Sequence, residues 1–213
     1  MVNPPKSKHI PRATIQRLAT YVQVLENFSR DNVEVISSNP LAEACGVNGS
    51  QVRKDLAYFG EFGIRGVGYH VKSLIAAITS SLGVDREWRM ALIGVGNLGH
   101  ALLQNFPFSH TGFTVDAAFD ISPSVIGTSV NGVPIYSMND LDSFIREHKV
   151  DVVVLTIPQS VAQDTASHLI NLGVKGFWNF TNIELSSQLP DVQFENIHFA
   201  DSLLTLSYRI ANR

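Results

Sequence analysis

A single cysteine, Cys45, stands among 213 residues, so an internal disulfide framework is excluded. A lone thiol of this kind usually serves as a small hydrophobe. Charge is also sparse, at 16% of residues against 45% hydrophobic, which is the balance of an ordered globular protein. No apolar run approaches the ~18 residues of a membrane span, and membrane partners are not expected. The opening Met1-Val-Asn-Pro-Pro-Lys lacks the apolar segment of a signal peptide, which gives a cytoplasmic expectation. The seven histidines include no His-x-x-x-His pair, so no metal site is expected. There is no Tyr-x-x-x-Lys pair, and His100 reads as a packing or surface residue rather than a catalytic base. With no catalytic residues in view, the chain does not read as an enzyme.

What charge there is divides unevenly. Residues 1–72 carry 9 Lys and Arg against 6 Asp and Glu, while the rest carry 7 against 13, so a net of +3 is followed by a net of −6. A polyanion would be drawn to the first third of the chain and repelled by the remainder.

That first third has the pattern of a DNA reader. Ile15, Leu18, Ala19, Val22, Leu25 and Phe28 mark an amphipathic helix over 12–30. Asp31 to Ser38 reads as a polar connection, and Asn39-Pro40 as the cap and first residue of a short helix ended by Gly46. A second short helix spans Ser50 to Phe59, and two short helices around a glycine-bearing turn form the helix-turn-helix pattern. Val52, Leu56 and Phe59 share one face of it, leaving Ser50, Gln51, Arg53, Lys54 and Tyr58 for phosphates and base edges, as on a recognition helix. Gly60 to Val71 follows, with four glycines in nine positions interleaved with basic and aromatic residues. It reads as a hairpin wing carrying Arg65, Gly66 and Tyr69 toward DNA.

After a polar break at Gly83–Glu87, strands and helices alternate, which means a doubly wound parallel sheet. Its first turn is Gly94-Val95-Gly96-Asn97-Leu98-Gly99, between the apolar run Met90–Ile93 and a helical pattern. Gly94 suits a tight turn, Gly96 leaves room for a pyrophosphate, Gly99 lets the helix lie close on the strand, and the helix N-terminus offers free N–H groups to the phosphates. Asp120 ends the second strand 26 positions after Gly94, followed by Ile121 and no nearby Arg or Lys. This favours NAD over NADP, because a carboxylate there binds ribose hydroxyls and repels a 2′-phosphate. Thr156-Ile-Pro158 and Asn179-Phe180, at later strand ends, are candidates for the nicotinamide half. The chain closes on an apolar helix, Leu203, Leu204, Leu206, Tyr208 and Ile210, which needs a covering surface such as a second copy.

Gln51-Val-Arg-Lys-Asp-Leu56, Phe59-Gly60, Arg65-Gly66-Val-Gly68-Tyr69 and Gly94-x-Gly96-Asn97-Leu98-Gly99 together resemble the Rex family of bacterial redox-sensing transcriptional repressors. The resemblance implies an α/β homodimer: an N-terminal winged helix-turn-helix domain (1–84), a C-terminal Rossmann-type doubly wound domain (85–200) and a C-terminal helix (201–213) swapped into the partner. It implies binding to double-stranded, inverted-repeat operator DNA and release when NADH binds, with NAD(H) a sensed ligand rather than a reagent. Some members join an Arg of the first helix and a Tyr after the fingerprint helix to an Asp of the last. Asp201 matches that Asp, but Gln23 and Phe106 occupy the other two places, so an ion pair and a phenol hydrogen bond are expected to be missing. An NAD(H)-dependent oxidoreductase with an appended nucleic-acid module is the competing reading.

Overall fold

The structure, a computed structural model, describes residues 10–60, 62–64 and 67–212. The chain forms two compact units that divide between Arg86 and Glu87.

In the first unit α1 (Arg12–Arg30) is followed by β1 (Val35–Ile36), α2 (Ser38–Ala44), α3 (Gly49–Leu56), β2 (Gly63–Ile64), β3 (Gly68–His70) and α4 (Val71–Leu82). The strands form an antiparallel sheet in the order β1-β3-β2, so the segment expected as a plain connection supplies an edge strand. Four helices and this small sheet make a winged helix. Leu18, Leu25, Ile36, Leu41, Val52, Leu56, Val71, Leu74 and Ile78 fill its core.

Element ends follow local chemistry. Asn48 caps α3, its Oδ1 accepting from the backbone N–H of Gln51 at 2.8 Å. α2 starts at Ser38, earlier than Asn39-Pro40 suggested, because proline is tolerated anywhere in a first turn where N–H groups lack intrahelical partners. It ends in a Schellman motif: Gly46, at φ +66°, donates to Glu43 O and Val47 to Ala42 O. α3 stops at Leu56 instead of Phe59, giving way to a turn closed by Phe59 N–H on Leu56 O at 3.0 Å.

The face that α1 buries also differs from its apolar pattern. Thr14, Leu18, Tyr21 and Leu25 are inside, whereas Ile15 and Ala19 are exposed. The cause lies on α3. Asp55 is 0% exposed, and its carboxylate accepts from Arg17 Nε and Nη2 (both 2.7 Å), Tyr21 Oη (2.8 Å), Gln51 Nε2 (2.9 Å) and Thr14 Oγ1 (3.2 Å). A buried carboxylate is tolerated only when its lone pairs are met, and the two hydroxyls it recruits from α1 set that helix's rotation. Burial raises the Asp55 carboxyl, but the bonds from Arg17, Tyr21 and Gln51 and the charge of Arg17 outweigh it, leaving the pKa below the usual value. Burial first, and then the bond to Asp55, push the Tyr21 phenol up.

In the second unit β4 (Trp88–Ile93), α5 (Asn97–Asn105), β5 (Phe113–Asp120), β6 (Ser129–Val130), β7 (Val133–Ser137), α6 (Leu141–Glu147), β8 (Val152–Leu155), α7 (Gln159–Asn171), β9 (Gly176–Asn179), β10 (Gln193–Asn196) and α8 (Phe199–Ala211) follow in turn. The sheet order is β10-β9-β8-β4-β5-β7-β6, parallel except for β6 against β7. Without β6 this is the doubly wound order, reversing direction at β4, so the ends of β4, β5 and β8 meet at the switch point. β8 is buried on both faces: Val153 and Leu155 pack toward Leu141, Ala162 and Leu169 of α6 and α7, and Val154 toward Leu103 of α5. α8 begins at Phe199, before the expected position 201, and all its residues are exposed.

Asp55→Asn is expected to destabilise the first unit by about 2 kcal/mol, because it leaves the partly buried Arg17 guanidinium without its counter-charge and breaks up the buried bonds around position 55. The native carboxyl lies below its unfolded value of about 3.9, so its contribution is complete above that value and is lost as pH falls through the native pKa. Urea unfolding followed by circular dichroism between about pH 2 and pH 6 should show the wild-type advantage over Asp55→Asn shrinking toward acid.

Candidate dinucleotide and DNA-binding sites

The fingerprint turn is shaped by atoms of the neighbouring strand. Gly94 adopts φ +94°, and a Cβ there would lie 2.7 Å from Thr156 O. A Cβ on Gly99 would overlap Gly94 O, so α5 reaches its close approach only with glycine. The Thr156 hydroxyl donates to Gly94 O at 2.6 Å, with Ile93 O at 3.1 Å. Within the chain this hydroxyl fixes the turn. Gly96 is different: a Cβ there meets nothing within 4 Å. Beside that space stand the first residues of α5, exposed Asn97 and half-buried Leu98, whose N–H groups precede the helical ladder.

Asp120 holds the turn from the other side. Its Oδ2 accepts from Val95 N–H at 2.6 Å and its Oδ1 from Ser122 N–H at 2.7 Å. Val95 is therefore satisfied at its N–H and buried at its side chain, and gives a ligand neither. Ile121, next along, is 83% exposed, an apolar surface beside the Asp120 carboxylate.

Asn179 is engaged in another way. It is buried, and all of its bonding capacity is spent within the protein: Nδ2 donates to Ile183 O and Asn196 Oδ1 (2.8 Å each), and Oδ1 accepts from the N–H and hydroxyl of Thr181 (2.9 and 2.6 Å). Asn196 completes the clamp, exchanging bonds with the backbone of Leu185. Asn179 is thus the brace of the loop after β9 and offers a ligand no free polar atom. Phe180, in that loop, stacks edge-on with Trp178 at 4.6 Å and faces Phe199 at 6.2 Å. Pro158, exposed, caps α7.

The polar face of α3 is held in an ordered state. Ser50 Oγ donates to Asn48 Oδ1 at 2.5 Å, Gln51 is tied to Asp55, and Arg53 Nη1 donates to Ser38 Oγ at 2.6 Å. Arg53 thereby lines a groove of about 440 Å³ with Ser37, Gly63, Ile64 and Gly68. Lys54 is exposed and makes no side-chain bond to any described residue. Tyr58 is half-buried. Tyr69 is 8% exposed with its ring under Gly63, and it lines the same groove as Arg53. Arg65 and Gly66, also expected at DNA, lie outside the described residues.

Both halves of this arrangement recur together in known proteins. Residues 9–57 match a family described as putative DNA-binding protein N-terminus, and residues 85–183 one described as CoA binding domain. The redox-sensing transcriptional repressor Rex of Solidesulfovibrio magneticus is 47% identical over 96% of this chain and 93% of its own, and that of Maridesulfovibrio salexigens 46% over 97% and 99%. The chain belongs to the Rex family. Among solved structures it is similar to the Rex-family repressor RSP in complex with β-NAD⁺ and operator DNA (TM-score 0.89, 39% identity, 96% of this chain and 94% of that one). It is likewise similar to RSP in complex with β-NADH (0.86, 38%, 96% and 95%).

Within this Rex-family chain, Gln23 is exposed on α1 and Asp201 on the first turn of α8, while Tyr208 is exposed further along that helix. Phe106 caps the far end of α5, its ring 4.7 Å from Phe108 and 5.4 Å from Trp178. Asp55, Arg17, Asn196 and Trp178 were not singled out from sequence. Asp55 had a signal, since a charged residue between Val52 and Leu56 falls on the buried face of α3 and must be paired there.

Gly99→Ala should lower the stability of the second unit by about 1–3 kcal/mol through overpacking, whereas Gly96→Ala, facing open space, should leave it within about 0.5 kcal/mol of wild type. Thermal unfolding of the two variants checks the contrast.

Proposed function

We infer that the chain is a transcriptional repressor that reads the NADH/NAD⁺ balance, binding operator DNA as a homodimer and releasing it on NADH binding. The observation that carries this reading is the open space at Gly96, beside the N-terminus of α5, in the same chain as the capped and braced polar face of α3. A pyrophosphate fits where a Cβ would otherwise stand, with the N–H groups of Asn97, Leu98 and Gly99 and the helix dipole to bind it. Lone pairs of Asp120 left over from Val95 and Ser122 suit ribose hydroxyls, and exposed Ile121 suits an adenine face. Bound there, the dinucleotide supplies the redox signal, not a hydride. Thr156 and Asn179 act by shaping the turn and the β9 loop, and Pro158 and Phe180 border the nicotinamide side. That apolar surroundings favour the neutral reduced ring over the cationic oxidised one follows from the cost of desolvating charge.

On the DNA side Gln51 and Arg53 meet bases, and Ser50, Lys54, Tyr58, Arg65 and Gly66 meet the backbone. The relatives are named as repressors, and the absence of catalytic turnover and the cytoplasmic location are part of this proposal. So is the division of labour among residues 1–84, 85–200 and 201–213. In the last of these, α8 exposes Phe199, Leu203, Leu204, Leu206 and Ile210, which supports a helix covered by a second copy. NADH-dependent rotation of the two subunits would separate the recognition helices from half-sites about 34–36 Å apart.

Fluorescence anisotropy on inverted-repeat DNA, titrated with NADH, NAD⁺ and NADPH, tests the reading. Release is expected with NADH alone, at a coupling of about 5–150-fold, and operator DNA should weaken NADH binding by the same factor. DNA affinity indifferent to NADH would falsify the sensor assignment. Gly96→Ala should remain folded and bind DNA but lose the NADH response. Lys54→Ala should weaken binding on all sequences and reduce the salt slope by about one unit.

A further inference from the structure

Gln51 sits in the first turn of α3, where a recognition helix meets base edges, and its amide is not free to choose its orientation. The carboxylate of Asp55, paired with both Nε and Nη2 of Arg17, has no proton to donate. Only the amide nitrogen of Gln51 fits against it, at 2.9 Å, and turning the amide over would set two acceptor oxygens face to face. Asp55 cannot move aside to relieve that clash, because Tyr21 and Thr14 hold the same two oxygens. Oε1 is thereby committed as an acceptor, and no described residue donates to it.

We infer that Asp55, through Gln51, makes one position of each operator half-site selective for a base with an exocyclic amine in the major groove, adenine N6 or cytosine N4, and against the keto groups of guanine and thymine. A glutamine on a solvated helix face turns its amide over to suit amino and keto bases alike; here the flip is blocked and one of the two amide hydrogens is spent on Asp55, so Oε1 stays an acceptor and a keto oxygen placed opposite it meets a second acceptor. Gln51 is the contacting residue and Asp55 a positioning residue, 0% exposed and remote from any base. The inference rests on the DNA-binding reading of α3.

The test begins with full-length protein selecting duplexes from a randomised inverted-repeat pool. Failure to recover any duplex would remove the DNA-binding reading itself, and this inference with it. With duplexes in hand, the position whose base preference disappears in Gln51→Ala identifies the contact. It should be adenine or cytosine, and replacing the amine by hydrogen (purine for adenine, 2-pyrimidinone for cytosine) should weaken wild-type binding roughly 10-fold and leave Gln51→Ala unaffected. A guanine or thymine there, an amine removed without cost, or no position sensitive to Gln51→Ala would overturn the assignment. Asp55→Asn, whose amide both accepts and donates, should flatten the preference at that position alone. A preference unchanged in folded Asp55→Asn overturns the positioning role, and if that variant does not fold, the amine-removal comparison decides.

Discussion

Taking a carboxylate out of water costs several kcal/mol unless every lone pair finds a donor, and the first unit is built around meeting that cost at Asp55. Arg17, Tyr21 and Thr14 all come from α1, so the demand of one side chain on α3 decides which face of α1 is buried. The pair does not merely bind two helices together. Apolar side chains such as Leu18 and Val52 would pack in several nearby registers, whereas five hydrogen bonds to two oxygens are satisfied in one. Specificity of arrangement, more than net stability, is the gain from a buried ion pair here.

The second unit uses the same economy with different groups. Asp120 reaches the fingerprint turn at Val95, Thr156 holds Gly94, and Asn179 with Asn196 braces the loop that follows β9. Two loops at strand ends are thus fixed by side chains that bond to backbone. A turn already held in its binding geometry spends none of a ligand's interaction energy on ordering. The dinucleotide turn differs from a flexible glycine-rich loop in this respect: its glycines supply close approach, while the polar residues around it supply rigidity.

Much of this was legible in the sequence, and the divisions have physical reasons. The βα alternation, the glycine fingerprint with Asp120, and the two short helices around Gly46 are set by local chemistry and periodicity, and they stand where the sequence puts them. β1 and β6 were invisible because two residues give no alternation to detect. Ile15 and Ala19 fit the period of α1 but face outward, since a buried polar contact outranked the apolar pattern. Thr156, Asn179 and Tyr69 stand at the strand ends and wing where the sequence puts them, but their bonds and packing within the chain were not visible there. Position along a strand says where a side chain stands, not whether its polar atoms are already engaged. Arg53 and Ser38 are far apart in sequence, and nothing local announces that one hydroxyl aims the other's guanidinium.

The exposed apolar face of α8 has a consequence for the cell as well as for the fold. In the proposed dimer, where a second copy covers Phe199, Leu203, Leu206 and Ile210, the folded state is a matter of mass action. Dilution would then unmask the helix, so the number of copies per cell sets a floor beneath which the regulator exists as single chains with an uncovered hydrophobic surface. A repressor made this way carries a built-in lower limit on its own abundance, independent of any signal it senses.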